Sequence, residues 1–133
     1  MKITAEIKPV PLQRNKHKEG TPKPFLPKRS REFRESLQWI MRAAMKGKEI
    51  YQGALEITIN LYRNIVPTAR GYGDADNHAK AVLDAANGIL FVDDKQVVKL
   101  QVIKHKCKIE GLTIDIDYYA KVEEIMEDWR VAA

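Results

Sequence analysis

An α+β fold, with helices packed on a mostly antiparallel sheet in the order β-α-β-α-β-β-α, is predicted by three features of this sequence. Apolar and polar residues alternate over 1–8, 55–62 and 112–118, the period of half-buried strands. Apolar residues recur at helical spacing over 33–44 and 79–86. The chain has 133 residues, the length of one ordinary domain, and Gly and Pro are few enough (7 and 6) to exclude collagen-like or low-complexity architecture. Residues 1–133 are therefore read as one domain.

The first strand alternates Ile3, Ala5 and Ile7 with Lys2, Thr4, Glu6 and Lys8 and ends at Pro9. Residues 10–29 follow as a basic, proline-containing loop with no period of either kind. Two readings of that loop are open, a segment that orders on nucleic acid and a plain linker. Helix one starts at Ser30 as its cap, places Phe33, Leu37, Ile40, Met41 and Ala44 on one face, and stops at Gly47. Leu55, Ile57, Ile59 and Leu61 then alternate with Glu56, Thr58, Asn60 and Tyr62 as the second strand. After a loop over 64–73, helix two runs from about Asp76 with Ala79, Val82, Leu83 and Ala86 inward, and Asn87-Gly88 suits a left-handed C-terminal cap. Val98, Leu100 and Val102 open the next strand. The apolar parity then moves to Ile103, Cys107 and Ile109, which predicts a bulge near Val102. Gly111 marks the turn into Leu112, Ile114, Ile116 and Tyr118, so 96–118 reads as an antiparallel hairpin. A last helix carries Val122, Ile125, Met126 and Trp129. Met41, Met126 and Trp129 are expected in the core, as is Cys107.

Positive charge is unevenly distributed. Residues 1–34 carry ten Lys/Arg against three Glu, a local charge of +7, whereas the rest of the chain is at −2. Within that remainder 95–108 holds five lysines and no acid, and 110–128 holds seven acids and one lysine. Clustered cations suit a polyanion, because neutralised phosphates release counterions. A solvated surface is the other reading of the same charges. Candidates for gripping phosphates are Arg14, Lys16, Lys18, Lys28, Arg29 and, beside the acidic stretch described next, Arg70.

Several classes fall away. The longest apolar runs, such as 88–92, are far shorter than the roughly 20 residues of a membrane span. Cys107 is the only cysteine, which excludes an intrachain disulfide and a zinc knuckle. These features predict a cytoplasmic protein with neither membrane span nor signal peptide. There is no Walker loop and no HExxH, and His17, His78 and His105 have no metal-ligand spacing.

The informative stretch is Gly73-Asp74-Ala75-Asp76-Asn77-His78-Ala79-Lys80, followed by Phe91-Val92-Asp93-Asp94. Asp74 and Asp76, two apart on extended chain entering a helix, point to one side. Carboxylates that close repel unless a cation lies between them, and hard oxygen ligands suit Mg²⁺ or Mn²⁺. The helix carries the chain away for roughly 16–18 Å and Asn87-Gly88 turns it back, so Asp93 or Asp94 can bring a third carboxylate. Lys80 sits one turn beyond Asp76, where an ammonium faces charge developing on a phosphate. Each feature has a plainer reading: an Asp as helix cap, Asp-Asp as a turn, and Lys80–Asp84 as a surface ion pair. His78, beside the acids, is a weaker candidate for supporting them.

Asp74-x-Asp76-Asn77-x-x-Lys80, then Leu83-Asp84-Ala85, Gly88 and Asp93-Asp94, resemble the RusA family of Holliday junction resolvases. The likeness is specific over 74–98. It implies Mg²⁺ bound by Asp74, Asp76 and Asp94, with Lys80 assisting. It also implies a homodimer that binds four-way DNA and nicks two opposed strands symmetrically, each cut leaving a 5′ phosphate. Where the family often has arginine before the first aspartate, this chain has Gly73, and the proline-rich N-terminal signature is reduced to residues 9–15. Two other functions fit the same residues: a non-catalytic DNA-binding module, and a metal-dependent nuclease for other branched DNA.

Overall fold

The computed structural model describes residues 1–13 and 26–131, with the backbone alone at 16–17 and 24–25. In chain order the elements are β1 (Lys2–Ala5), β2 (Lys16–His17), β3 (Pro24–Phe25), α1 (Lys28–Ala44), β4 (Leu55–Arg63), α2 (Ala75–Ala86), β5 (Val97–Lys106) and β6 (Gly111–Tyr118). Short 3₁₀ turns occupy Arg70–Tyr72, Asp94–Gln96 and Trp129–Val131.

Four strands form one mixed sheet in the order β1-β6-β4-β5. β6 pairs antiparallel with both β1 and β4, whereas β4 and β5 are parallel. The expected hairpin over 96–118 is therefore not formed, because β4 lies between its two arms. The reason is the 33 residues that separate Arg63 from Val97, enough for a crossover through α2 that returns the chain parallel to β4. The bulge lies elsewhere too. Leu55 aligns with Val97 and Glu56 with Lys99, so the extra residue is Val98, and pairing is regular through Val102. The parity shift in the sequence reflects an edge strand, on which Val98, Leu100 and Ile103 are exposed.

One face of the sheet is dry. Leu55, Ile57, Ile59 and Leu61 of β4, Leu112, Ile114 and Ile116 of β6, and Ile3 and Ala5 of β1 are buried against the two helices. α1 contributes Phe33, Leu37 and Met41 at successive turns, and α2 contributes Val82, Ala85 and Ala86. Small residues on α2 allow close approach to α1, where Gln38 Nε2 donates to the Ala85 carbonyl at 3.4 Å.

α1 begins at Lys28, two residues before the expected cap. Ser30 is buried in the first turn, its Oγ 3.5 Å from Gln13 Oε1, and Pro27 caps without a side-chain bond. The loop expected over 10–29 is shortened at its start as well, because Val10 is buried and Leu12 N–H donates to the Asn77 carbonyl at 2.9 Å. The expected last helix does not form. Met126 and Trp129 are 54% and 77% exposed, and a helix of this length with no face to bury is marginal. Cys107 is half-buried at the end of β5 rather than in the core. Among the described residues no helix is long and apolar enough to cross a membrane.

Candidate active site

The chain leaves the dry core at Arg63 and re-enters α2 through a turn built around one aromatic residue. Tyr72 is fully buried, and its hydroxyl lies 2.9 Å from the Leu61 carbonyl and 2.8 Å from that of His105. It thereby pins the turn to the seam between β4 and β5. Burial raises its pKa, so the phenol keeps its proton. Gly73 follows with φ of +93°, and a Cβ there would stand 2.8 Å from Pro11 Cγ and 3.0 Å from His78 Nε2. Only glycine fits.

Asp74 is the N-cap residue of α2, yet its side chain makes no capping hydrogen bond. Asp76 Oδ1 accepts only a local bond, from Asn77 N–H at 3.0 Å. Both are exposed, and neither joins an ion pair among the described residues. The cap reading thus fails for Asp74. Two residues further on, the turn is closed from behind by His78, whose buried Nε2 lies 2.7 Å from the Tyr72 carbonyl. A carbonyl only accepts, so Nε2 carries the hydrogen. Burial pushes the His78 pKa below the ordinary imidazole value against the effect of that bond, and the charges of Arg63 and Lys104 act with burial. His78 is a neutral prop for the turn.

Along the outer face of α2, Asp76, Lys80 and Asp84 follow one another at intervals of one turn. Lys80 Nζ is 3.9 Å from Asp84 Oδ1, the surface pair anticipated above, and Arg34 of α1 reaches Asp84 Oδ2 at 3.9 Å. Such a pair is worth a few tenths of a kcal/mol and leaves the ammonium free to move.

Past α2, Gly88 takes φ of +79° and the chain returns to the adjacent aspartates. They differ. Asp93 caps the 3₁₀ turn Asp94–Gln96, accepting from Lys95 N–H at 3.2 Å, while Gln96 Oε1 accepts from Asp93 N–H at 3.0 Å. Gln96 Nε2 also donates to the Tyr51 and Gly53 carbonyls, both at 3.0 Å, which anchors the turn to the chain entering β4. Asp94 has no such task. Its hydrogen bond with Asp93 holds its pKa above the usual carboxylate value, burial and the charges of Asp93 and Asp84 add to this, and Lys80 opposes it. The charges of Lys80 and Asp84 on α2 are thus felt at Asp94.

Among the described residues no three His, Cys, Asp or Glu side chains converge closely enough to hold a metal ion. The acids are spread along one side of α2 and the turn after it. Their chemistry nonetheless fits a hard divalent cation: Asp74, Asp76 and Asp94 are oxygen donors without a protein cation of their own. Tyr72 and Gln96 went unnoticed in the sequence. Asp93-x-x-Gln96 is a capping-box pattern and was a usable signal; a single tyrosine between glycines is not.

Of the cationic candidates, Lys28 and Arg29 are exposed in the first turn of α1, where Lys28 pairs with Glu32 at 3.7 Å, and Arg70 is exposed at the start of the turn leading to Asp74. Arg14 and Lys18 lie outside the described residues, as does the side chain of Lys16.

The whole of this site falls within a match to the family model for Endodeoxyribonuclease RusA, which covers residues 6–117. No individually curated protein matches the chain. With most of its length matched, including every aspartate described above, the chain belongs to the RusA endodeoxyribonuclease family.

Proposed function

We propose that the protein is an Mg²⁺-dependent endodeoxyribonuclease that resolves Holliday junctions by paired symmetric nicks, serving DNA recombination and repair. The observation that carries the reading is the family match over residues 6–117, within which residues 74–94 lie. Asp74, Asp76 and Asp94 would hold the metal, with Mn²⁺ a substitute, since Asp93 is engaged as a cap. When bound, Mg²⁺ supplies Lewis acidity for activating water and for easing departure of the 3′ oxygen.

The protein's own groups do the rest. Lys80, on the exposed face of α2, presents an ammonium to the phosphate on which negative charge accumulates. Lys28, Arg29 and Arg70 grip backbone phosphates together with Arg14, Lys16 and Lys18, giving affinity with little base readout. A homodimer places two such sites about a two-fold axis, matching the approximate symmetry of a four-way junction.

The test is to incubate end-labelled four-way, flap and linear duplex DNA with Mg²⁺ or EDTA and to map the cuts. Symmetric nick pairs in the four-way substrate alone, abolished by EDTA, are expected. Preferential flap incision would assign a different branched substrate. No incision with any divalent ion would leave a non-catalytic DNA-binding module.

A further inference from the structure

Arg63 and Lys104 lie on neighbouring parallel strands, with Leu61 aligned to Lys104 and Arg63 to Lys106, so both side chains project from the helix-covered face of the sheet. Charged groups are unusual there. Arg63 is only 6% exposed. Its Nη1 donates to the Gly71 carbonyl at 2.6 Å and lies 3.3 Å from the Tyr72 carbonyl, and its guanidinium carbon sits 5.5 Å from the centre of the Tyr72 ring. Lys104 Nζ donates to the Gly73 carbonyl at 3.1 Å and lies 5.3 Å from the same ring. Three successive carbonyls, those of residues 71, 72 and 73, are thus taken by two cations from the sheet.

We infer that Arg63 and Lys104 are positioning residues that fix the peptides leading into Asp74, and so set where the Asp74–Asp76 pair presents its oxygens. The inference rests on the active site proposed above. Burying a guanidinium costs several kcal/mol unless its donors are matched. Glu110, with its Oε2 3.6 Å from Arg63 Nε, balances the charge from outside, but that Nε has no hydrogen bond. The matched donors are those on the turn. Lys104 is half-buried at the sheet edge, where its flexible stem could place the ammonium in water; it lies instead on the Gly73 carbonyl. That carbonyl belongs to the peptide joining Gly73 to Asp74, so holding it fixes the plane from which the Asp74 side chain starts. Two neighbouring carboxylates push each other apart, and a backbone anchored on cations resists that push. A displacement of about 1 Å in such a group costs on the order of 100-fold in rate.

The test compares Lys104→Met, which keeps the stem and removes the charge, with Lys104→Arg. Three quantities are read: hydrogen–deuterium exchange of the 70–76 amides without metal or DNA, the Mg²⁺ concentration for half-maximal junction cleavage, and junction affinity in EDTA. For Lys104→Met the expected results are clearly faster exchange over 70–76, half-saturation raised about 10-fold, and junction affinity within about 2-fold of wild type, with Lys104→Arg close to wild type. Unchanged exchange overturns the inference. So does unchanged half-saturation, including the case in which junction affinity falls instead and Lys104 proves to be a phosphate contact. If the wild-type protein cuts no DNA, the proposed function fails, while exchange over 70–76 and Mn²⁺ affinity still decide the role of Lys104. For Arg63 the variant is Arg63→Lys, which keeps a charge in the core but loses the fork that reaches the Gly71 and Tyr72 carbonyls: faster exchange over 70–76 is expected, and unchanged exchange overturns its part of the inference.

Discussion

Asp93 and Asp94 are neighbours in sequence with opposite electrostatic situations. The backbone N–H of Lys95, ahead of the hydrogen bond with Asp94, holds the Asp93 carboxyl below its ordinary pKa, while the bond with Asp93 holds Asp94 above it. Metal binding needs Asp94 ionised, so the acid limb of the cleavage–pH profile should lie above the range of an ordinary aspartate. Asp93→Asn can still cap the turn and donate to an ionised Asp94, and should move that limb to lower pH without abolishing activity. A limb that stays put in rate measurements across the acid range would contradict this assignment. For the pair at the start of α2, Asp76→Asn should lower the cleavage rate by about 10³-fold, as expected for losing several kcal/mol of metal-derived stabilisation. Junction binding in gel-shift measurements should be retained or strengthened, because the substitution removes a negative charge facing phosphates.

At the level of elements, the turn from β4 to α2 carries the site. Gly73→Ala puts a Cβ into Pro11 and forces a left-handed backbone, which should destabilise the protein by about 2 kcal/mol in urea denaturation. Strands and helices whose apolar period faces a buried surface were readable from sequence: β4 lies within one residue of expectation at each end, and α1 starts two residues before its expected cap and ends at Ala44, three residues before the expected stop at Gly47. Two readings failed for physical reasons. Val122, Ile125, Met126 and Trp129 have helical spacing, but spacing forms no helix without a surface to cover. Between 97 and 118 the pattern identified strands correctly and partners wrongly, because pairing is decided by the crossover and not by the nearest turn. The supports of the site were legible only in part. Arg63 follows Leu61 at the buried parity of β4, a charge where the pattern asks for an apolar side chain, and that mismatch was its signal.

For the molecule as a whole, the crossover from β4 to β5 carries both the acidic face of α2 and the return turn at 93–94, and Arg34 of α1 reaches that face at Asp84. Sequence spacing singled out Asp74, Asp76 and Asp94 as candidates and gave their order along the chain. It could not tell whether their oxygens close on one point, since that depends on side-chain torsions and on the charge placed between them. The most direct measurement is therefore Mn²⁺ binding followed by electron paramagnetic resonance, with no DNA present. Wild-type protein should remove free Mn²⁺ from solution, Asp93→Asn should still do so, and Asp74→Asn and Asp94→Asn should lose most of that capacity. A wild-type protein that leaves the free Mn²⁺ signal unchanged, or an Asp94→Asn variant that binds as well as wild type, would contradict the three-aspartate centre.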